Sequence, residues 1–242
     1  MNDNPSAGPE NGTGTTSRQH LRHGISAAWP ICIGYIPIGL AFGVLADQAG
    51  IPFWAVGLMS MLVFAGSAQF IGVAMLTAGA SAASIILTTF VVNLRHILMS
   101  SSLALHFRNV NRWFLTLFAY GITDESFAVN MARFRIGSWN KLSALSVNHI
   151  TNCVWILSTV AGALVGQFIP QGAFGIDYAL TAMFICLLVF QLHGKIYVLT
   201  GILAALIAIL WYQLIPGNSY IVGASICSAT LGFWIKKSSA KK

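Results

Sequence analysis

Charge is what this sequence has least of. Of 242 residues only 8% are charged, and only six are acids. A water-soluble domain carries roughly 25% charged residues, so these few cannot build the skin of a soluble fold. Cysteine is almost as scarce. Cys32, Cys153, Cys186 and Cys227 each stand alone in an apolar run, with no Cys-x-x-Cys pair and no Cys/His spacing that suits a metal. Their expected role is buried packing, and neither a metal site nor a cofactor is expected. No P-loop occurs, which removes direct use of ATP. No Gly-x-Ser-x-Gly surrounds Ser67, so a serine hydrolase has no footing. Alternating ten-residue segments are missing, which argues against a β-barrel. The bases are scattered over loops with no soluble module to carry them, which argues against nucleic-acid binding.

What is present is apolar length. The chain is 56% hydrophobic with a mean hydropathy of +0.74. Its apolar residues come in runs of about 20, the length of helix that crosses a hydrocarbon core of roughly 30 Å. Eight runs can be marked: Ile25–Leu45, Phe53–Leu76, Ala80–Leu105, Trp113–Met131, Leu142–Ile169, Phe174–Leu192, Lys195–Ile215 and Tyr220–Ile235. Turn residues separate them, and backbone in lipid must satisfy its own hydrogen bonds. The expected fold is therefore an all-α integral membrane protein, a polytopic bundle of about eight transmembrane helices, some broken. Residues 1–20 form a polar tail too poor in apolar residues to fold, with no secretory leader pattern. Residues 21–235 form the membrane domain, and 236–242 a basic tail.

The bases orient the bundle. Arg18, Arg22, Arg133, Arg135, Lys141, Lys195, Lys236, Lys237, Lys241 and Lys242 share one side of an eight-span chain, which the excess of bases makes cytoplasmic, with both ends inside. Arg108 and Arg112 fall on the other side. Either that loop is an exception, or one segment near residues 60–105 re-enters instead of crossing.

Several features exceed what a plain bundle needs. Pro30, Gly34, Pro37 and Gly39 crowd the first run and are expected to kink or break it. Broken helices aim half-helix ends at substrates. Gly66, Ser67 and Gln69 form a small, polar stretch in the second run, suited to close packing and cross-helix hydrogen bonds. The third run holds Asn93-Leu94-Arg95-His96 and the fourth Thr123-Asp124-Glu125-Ser126; ionisable groups at such depth mark functional sites by default. Arg95 lies about 15 Å of helix from the Leu105 end and Asp124 about 16 Å from the Trp113 end, so an Arg95–Asp124 or Arg95–Glu125 pair is expected. That pair can be structural, can bind a carboxylate through the guanidinium fork, or can relay protons with help from His96. Asn148, His149 and Asn152 either line a cavity or lie near the cytoplasmic mouth of the fifth run. Gln191, His193 and Lys195 read as a helix end with snorkelling heads. Gly39-x-x-x-Gly43 is echoed by Gly162-x-x-x-Gly166, a spacing that favours close helix contact and hints at two repeated halves.

The runs Gly34-Tyr35-Ile36-Pro37-Ile38-Gly39-Leu40-Ala41-Phe42-Gly43, Val63-Phe64-Ala65-Gly66-Ser67-Ala68-Gln69-Phe70, Asn93-Leu94-Arg95-His96-Ile97-Leu98-Met99-Ser100 and Thr123-Asp124-Glu125 resemble the motifs of the AzlC family. The resemblance is strongest over about residues 24–130. It implies the large subunit of a bacterial exporter for branched-chain amino acids, with methionine a further substrate of some members, working beside a small AzlD-like subunit in the cytoplasmic membrane. The family motifs fall on Pro37, Gly39, Gln69, Asn93, Arg95, His96, Asp124 and Glu125. The expected substrate-binding residues are Pro37, Gly39, Gly66, Ser67, Gln69, Asn93 and Arg95. Those for proton coupling are His96, Asp124 and Glu125, and no enzymatic activity is expected. The alternative is an embedded structural or assembly subunit, or a channel, in which the charged pair only holds the bundle together.

Overall fold

A computed structural model of the chain describes residues 17–107, 110–137, 139–170, 194–214 and 219–239, and a scatter of positions between 171 and 193. Its described elements are all α-helical. Helix α1 (Ser17–Gln48) runs unbroken through Pro30 and Pro37, so of the expected kink or break in the first run the break is not formed. Pro30, Gly34 and Pro37 are all exposed and share one face, four and three residues apart. The opposite stripe, Ala28, Ile31, Tyr35, Gly39, Phe42 and Ala46, is buried. Packing along that stripe keeps the helix in register while the carbonyls freed by proline face outward.

The partner of that stripe is α8 (Lys141–Gly166). The two helices are parallel. Gly24 lies beside Ser143 and Ser146, and Gly39 beside Ser158, while Asp47 sits against Gly166 at the other end. The face where both begin is called proximal below, and the face where both end distal. A Cβ at Gly43 would overlap the Thr159 carbonyl, and one at Gly162 the Leu40 carbonyl. The two GxxxG sequences are therefore the contact surfaces of one helix crossing.

The second run does not fold as one helix. It forms α2 (Phe53–Val63) and α3 (Gly66–Thr77), and the chain reverses between them. Gly57 of α2 faces Val160 of α8, and Phe70 of α3 meets Phe42 of α1 with ring centroids 5.0 Å apart. On the parallel α1–α8 pair these are nearly the same level. Gln69 Nε2 also donates to Ser60 Oγ across the two arms at 3.0 Å. In a continuous helix, residues nine apart would stand about 13 Å from each other along the axis. The α2–α3 hairpin enters from the distal face, where a short turn joins it to α1.

The fourth run reverses in the same way. It forms α6 (Arg112–Tyr120) and α7 (Asp124–Ile136). Asn148 on α8 accepts from Asn130 Nδ2 at 3.0 Å and donates to the Phe118 carbonyl at 2.9 Å. One amide thus ties both arms. Trp139 Nε1 adds a bond to Asn130 Oδ1 at 2.9 Å. This hairpin opens on the proximal face, where its second arm leads directly into α8. Asn148 is fully buried and braces the hairpin; Asn152 is nearly as buried, its Nδ2 without a hydrogen-bond partner among the described residues, and neither lines the cavity described below.

Between the hairpins, α4 (Ala82–Asn93) and α5 (Arg95–Ala104) follow one line from distal to proximal, with a single break at Leu94. The segment after α5 reaches the end of α7, where His106 stacks on Phe134 at 4.7 Å. Helices α9 (Lys195–Leu214) and α10 (Ser219–Ser239) form an antiparallel pair, tied by a bond from Lys236 Nζ to the Tyr197 hydroxyl at 3.1 Å. Among the described residues, four stretches are long and apolar enough to cross a membrane: Ser17–Gln48, Ala82–Ala104, Lys141–Gly166 and Lys195–Leu214. Large apolar side chains such as Trp29, Leu62, Phe90 and Leu98 are exposed along the outer surface, as a bilayer solvent allows and water does not. Most of the Phe174–Leu192 run, with Gln191, His193 and Cys186, lies outside the described residues. Cys32 is buried as expected, whereas Cys153 is exposed on the outer side of α8.

Candidate functional site

The two hairpin tips meet. The α2–α3 tip turns at Phe64, whose φ of 38° and ψ of 48° lie in the left-handed region. For a bulky residue this is a costly conformation, on the order of 1–3 kcal/mol, and such strain concentrates at functional sites. Phe64 is buried, and its ring packs 6.4 Å from Tyr120 on the other hairpin. After Ala65 the helix α3 starts at Gly66 with no side-chain cap, which leaves amide hydrogens of its first turn aimed at the tip. The α6–α7 tip turns at Gly121–Thr123, and there the cap is complete. The Thr123 hydroxyl accepts from the Ser126 amide, and Ser126 Oγ accepts from the Thr123 amide. Asp124 and Glu125 form the first turn of α7, where the helix dipole favours negative charge.

Arg95 stands between these tips at the start of α5. Its Nη1 lies 2.7 Å from Asp124 Oδ2, and its Nη2 donates to Ser67 Oγ at 2.5 Å. One planar guanidinium therefore holds the first turns of α3 and α7 together. The pair is about one quarter exposed, and Arg95 Nε has no hydrogen-bond partner among the described residues. The expected Arg95–Asp124 pair is formed, while Glu125 is held differently. Tyr35 of α1 has its hydroxyl 2.8 Å from both Glu125 Oε2 and Thr123 Oγ1. A hydroxyl has one hydrogen. Tyr35 therefore donates to the carboxylate and accepts from Thr123, whose own hydrogen is free because its oxygen already accepts the Ser126 amide.

A cavity of about 40 Å³ opens among these groups. Its polar wall is Ser67, Arg95, His96, Thr123, Asp124 and Glu125 with the Tyr35 hydroxyl; its apolar wall is Ile38, Phe64, Ala65, Gly66 and Trp155. Of the residues expected from the sequence, Gly66, Ser67, Arg95, His96, Asp124 and Glu125 come together here. Gly66 leaves room for the Trp155 ring, which a Cβ would approach to 3.0 Å. The others lie outside the lining. Pro37 is exposed on the outer face of α1, and Gly39 is pressed against Ser158 at the α1–α8 crossing. Asn93 offers its carbonyl to His96 Nδ1 at 3.1 Å, and its side-chain oxygen has no partner among the described residues. Gln69 is buried one layer behind the lining. It accepts from Trp155 Nε1 at 2.9 Å and donates to Ser60, which contacts Thr159 Oγ1 at 2.9 Å. It sets the position of Trp155 without reaching the cavity.

Six lining residues escaped the sequence reading as site members: Tyr35, Ile38, Phe64, Ala65, Thr123 and Trp155. Thr123 carried a signal. A Thr followed by two acids is a helix start, but inside an apolar run hydropathy places it mid-helix. Trp155 sits in the fifth run with no local feature to mark it.

The arrangement separates charges. At one side Arg95, Ser67 and the uncapped start of α3 suit an anion. At the other, Glu125 forms no salt bridge among the described residues, and the Tyr35 hydroxyl fixes its orientation. Between them an apolar wall of Ile38, Phe64 and Trp155 suits a hydrocarbon group.

Comparison with known proteins gives the same neighbourhood. A family model described as AzlC protein matches residues 30–169, a span that contains every lining residue. An uncharacterized membrane protein of Helicobacter pylori is 31% identical over 162 residues, covering 66% of this chain and 71% of that protein. The inner membrane protein YgaZ of Escherichia coli is 28% identical over 242 residues, covering 96% of this chain and 97% of its own. The branched-chain amino acid transport protein AzlC of Bacillus subtilis is 27% identical over 205 residues, covering 81% and 78%. No solved structure matches.

Proposed function

The chain belongs to the AzlC family of membrane transport proteins, and from that premise we propose that it is the large subunit of a secondary exporter of branched-chain amino acids. It is a multi-pass membrane protein of a transport family rather than an enzyme. In the proposed arrangement its eight apolar runs lie in the bacterial cytoplasmic membrane with both ends inside. It carries valine, leucine and isoleucine, and by extension methionine, outward, beside a small AzlD-like subunit.

The observation that carries this reading is the separation of charge around the small cavity. A zwitterionic amino acid needs a cation for its carboxylate, an acid for its ammonium and an apolar wall for its side chain. Arg95 Nη2 and Ser67, at the uncapped start of α3, supply the first. Glu125 supplies the second, held by Tyr35. Ile38, Phe64 and Trp155 supply the third. A branched side chain offers no polar group, so the apolar wall selects by shape and area, at about 25 cal/mol per Å² buried. With about 40 Å³ available, the cavity holds on the order of three waters. Accepting an amino acid therefore requires a tip to withdraw, which is alternating access. Asp124, clamped by Arg95, and Glu125 with neighbouring His96 are the groups that carry a coupling proton in this scheme.

The test is efflux of preloaded radiolabelled valine, leucine and isoleucine from cells stripped of their own exporters, with and without an AzlD-like partner. Faster efflux that needs the partner, and that falls at least tenfold in Arg95→Ala and Asp124→Asn at equal membrane levels, supports the reading. Arg95→Ala protein that is inserted and fully active makes the pair structural. Absence of efflux for all three substrates, with both subunits stably inserted, removes the substrate assignment. Flux that dissipates a gradient without saturating makes the protein a channel.

A further inference from the structure

We propose that α2–α3 and α6–α7 are two re-entrant hairpins that enter the membrane from opposite faces as halves of an inverted repeat, and that Arg95 is the latch joining their tips. This goes beyond the transport reading and does not depend on the substrate.

The directions of the arms carry the first part. Ser60 bonds Gln69 across one hairpin, and Asn148 bonds both arms of the other. Neither run crosses. The α2–α3 tip comes down from the distal face and the α6–α7 tip comes up from the proximal face. Each hairpin follows a full-length helix: α1 running proximal to distal, then α4–α5 running back. A long helix followed by a hairpin thus occurs twice with opposite sense, an inverted-topology repeat. The arms match in length, with 11 and 12 residues in α2 and α3 against 9 and 13 in α6 and α7. The second arms also share one spacing. Ser67 stands three residues before Phe70, and Asp124 three residues before Phe127. Ser67 and Asp124 are the two residues that Arg95 holds. The latch therefore joins the first turns of the two second arms, at the same spacing from a phenylalanine in each.

Charge supports the same topology independently. If both hairpins turn back, the loop holding Arg108 and Arg112 moves to the side of Arg18, Arg22, Arg133, Arg135 and Lys141. The bases that an eight-crossing chain places wrongly then obey the positive-inside rule. Non-helical backbone at membrane depth is tolerated only where protein covers it, and the Phe64–Ala65 turn is buried against the other tip. A hollow of about 550 Å³ between α5 and α7, lined by Ser102, His106, Phe127, Met131 and Arg135 among others, lies on the proximal side of the latch. It gives the α6–α7 arm room to swing once Arg95 lets go. Release of one tip at a time would open one face at a time.

Single cysteines test both parts, in a background whose four native cysteines are replaced. Ala78→Cys lies in the α3–α4 turn and Asn111→Cys just before α6, both exposed. The two topologies put each on opposite sides. An impermeant maleimide should label Ala78→Cys in intact cells and Asn111→Cys only after permeabilisation; the reverse pattern overturns the re-entrant hairpins. For the latch, Ala65→Cys and Ile122→Cys report the buried tips. Arg95→Gln and the charge-preserving Arg95→Lys should each raise the tip labelling rates at least fivefold, Ala65→Cys from outside and Ile122→Cys from inside. Unchanged rates in both Arg95 variants overturn the latch, whatever the transport activity.

Discussion

The guanidinium of Arg95 shows what residue-scale chemistry decides here. Its two terminal nitrogens reach two helices at once, a task for a planar fork and not for the single ammonium of lysine. Arg95→Lys should therefore insert normally yet lose at least tenfold in efflux, because one ammonium cannot hold Asp124 and Ser67 together. Transport near the wild-type rate would mean that charge alone suffices. Gln69 behaves differently. Its amide is saturated by Trp155 and Ser60, deep in the protein. Gln69→Leu leaves buried donors and acceptors unpaired, at about 1–3 kcal/mol for each group. A lower midpoint of thermal unfolding in detergent should accompany any loss of transport, whereas transport lost at an unchanged midpoint would put Gln69 at the substrate. Arg95, Asp124 and Glu125 were legible in the sequence because charge inside an apolar run is rare. Trp155 and Tyr35 were not, because an aromatic in such a run is ordinary and only the fold brings them to the tips.

At the scale of elements, the sequence signals pointed to the wrong helix. Proline marks a break when its freed carbonyl must find another partner inside the bundle. In α1 both prolines lie on the outer face, and the helix continues. The actual reversals have no proline. One rests on Phe64 in the left-handed region, and the other on Gly121, where a Cβ would come within 2.6 Å of Asn148 Cβ. Both constraints are tertiary, so hydropathy alone reads each hairpin as one span. The glycines were legible as contact surfaces but not as partners of each other. Gly43→Val and Gly162→Val would force side chains into backbone at the α1–α8 crossing, and overpacking of that kind costs about 1–3 kcal/mol or more. Gly34, with nothing near its Cβ position, is the internal control. Gly34→Ala should leave stability unchanged or raise it by up to about 1 kcal/mol, since alanine is the better helix former. Unfolding midpoints of the three variants compare directly, and a Gly43→Val protein as stable as Gly34→Ala would contradict the crossing.

The whole molecule is organised by how few charges it has and where they stand. Among the described residues from 17 to 170, Arg18, Arg22, Arg112, Arg133, Arg135 and Lys141 all lie toward the proximal face, and the distal end of α1 carries Asp47. The start of α9 and the end of α10 bring Lys195, Lys236 and Lys237 to one end of their pair. A bilayer reads such an asymmetry during insertion, because bases in short loops resist translocation. In the proposed topology, turning two runs into hairpins leaves the parity of crossings unchanged, which would keep both chain ends on the face that carries the bases. Fusion reporters distinguish the faces. Alkaline phosphatase joined after Lys242 should be inactive and a green fluorescent protein there should fluoresce, whereas phosphatase joined after Pro170, at the distal end of α8, should be active. Phosphatase active at both positions would mean an even number of crossings after α8, and with it a C-terminal basic tail on the outer face against the charge bias of the rest of the chain.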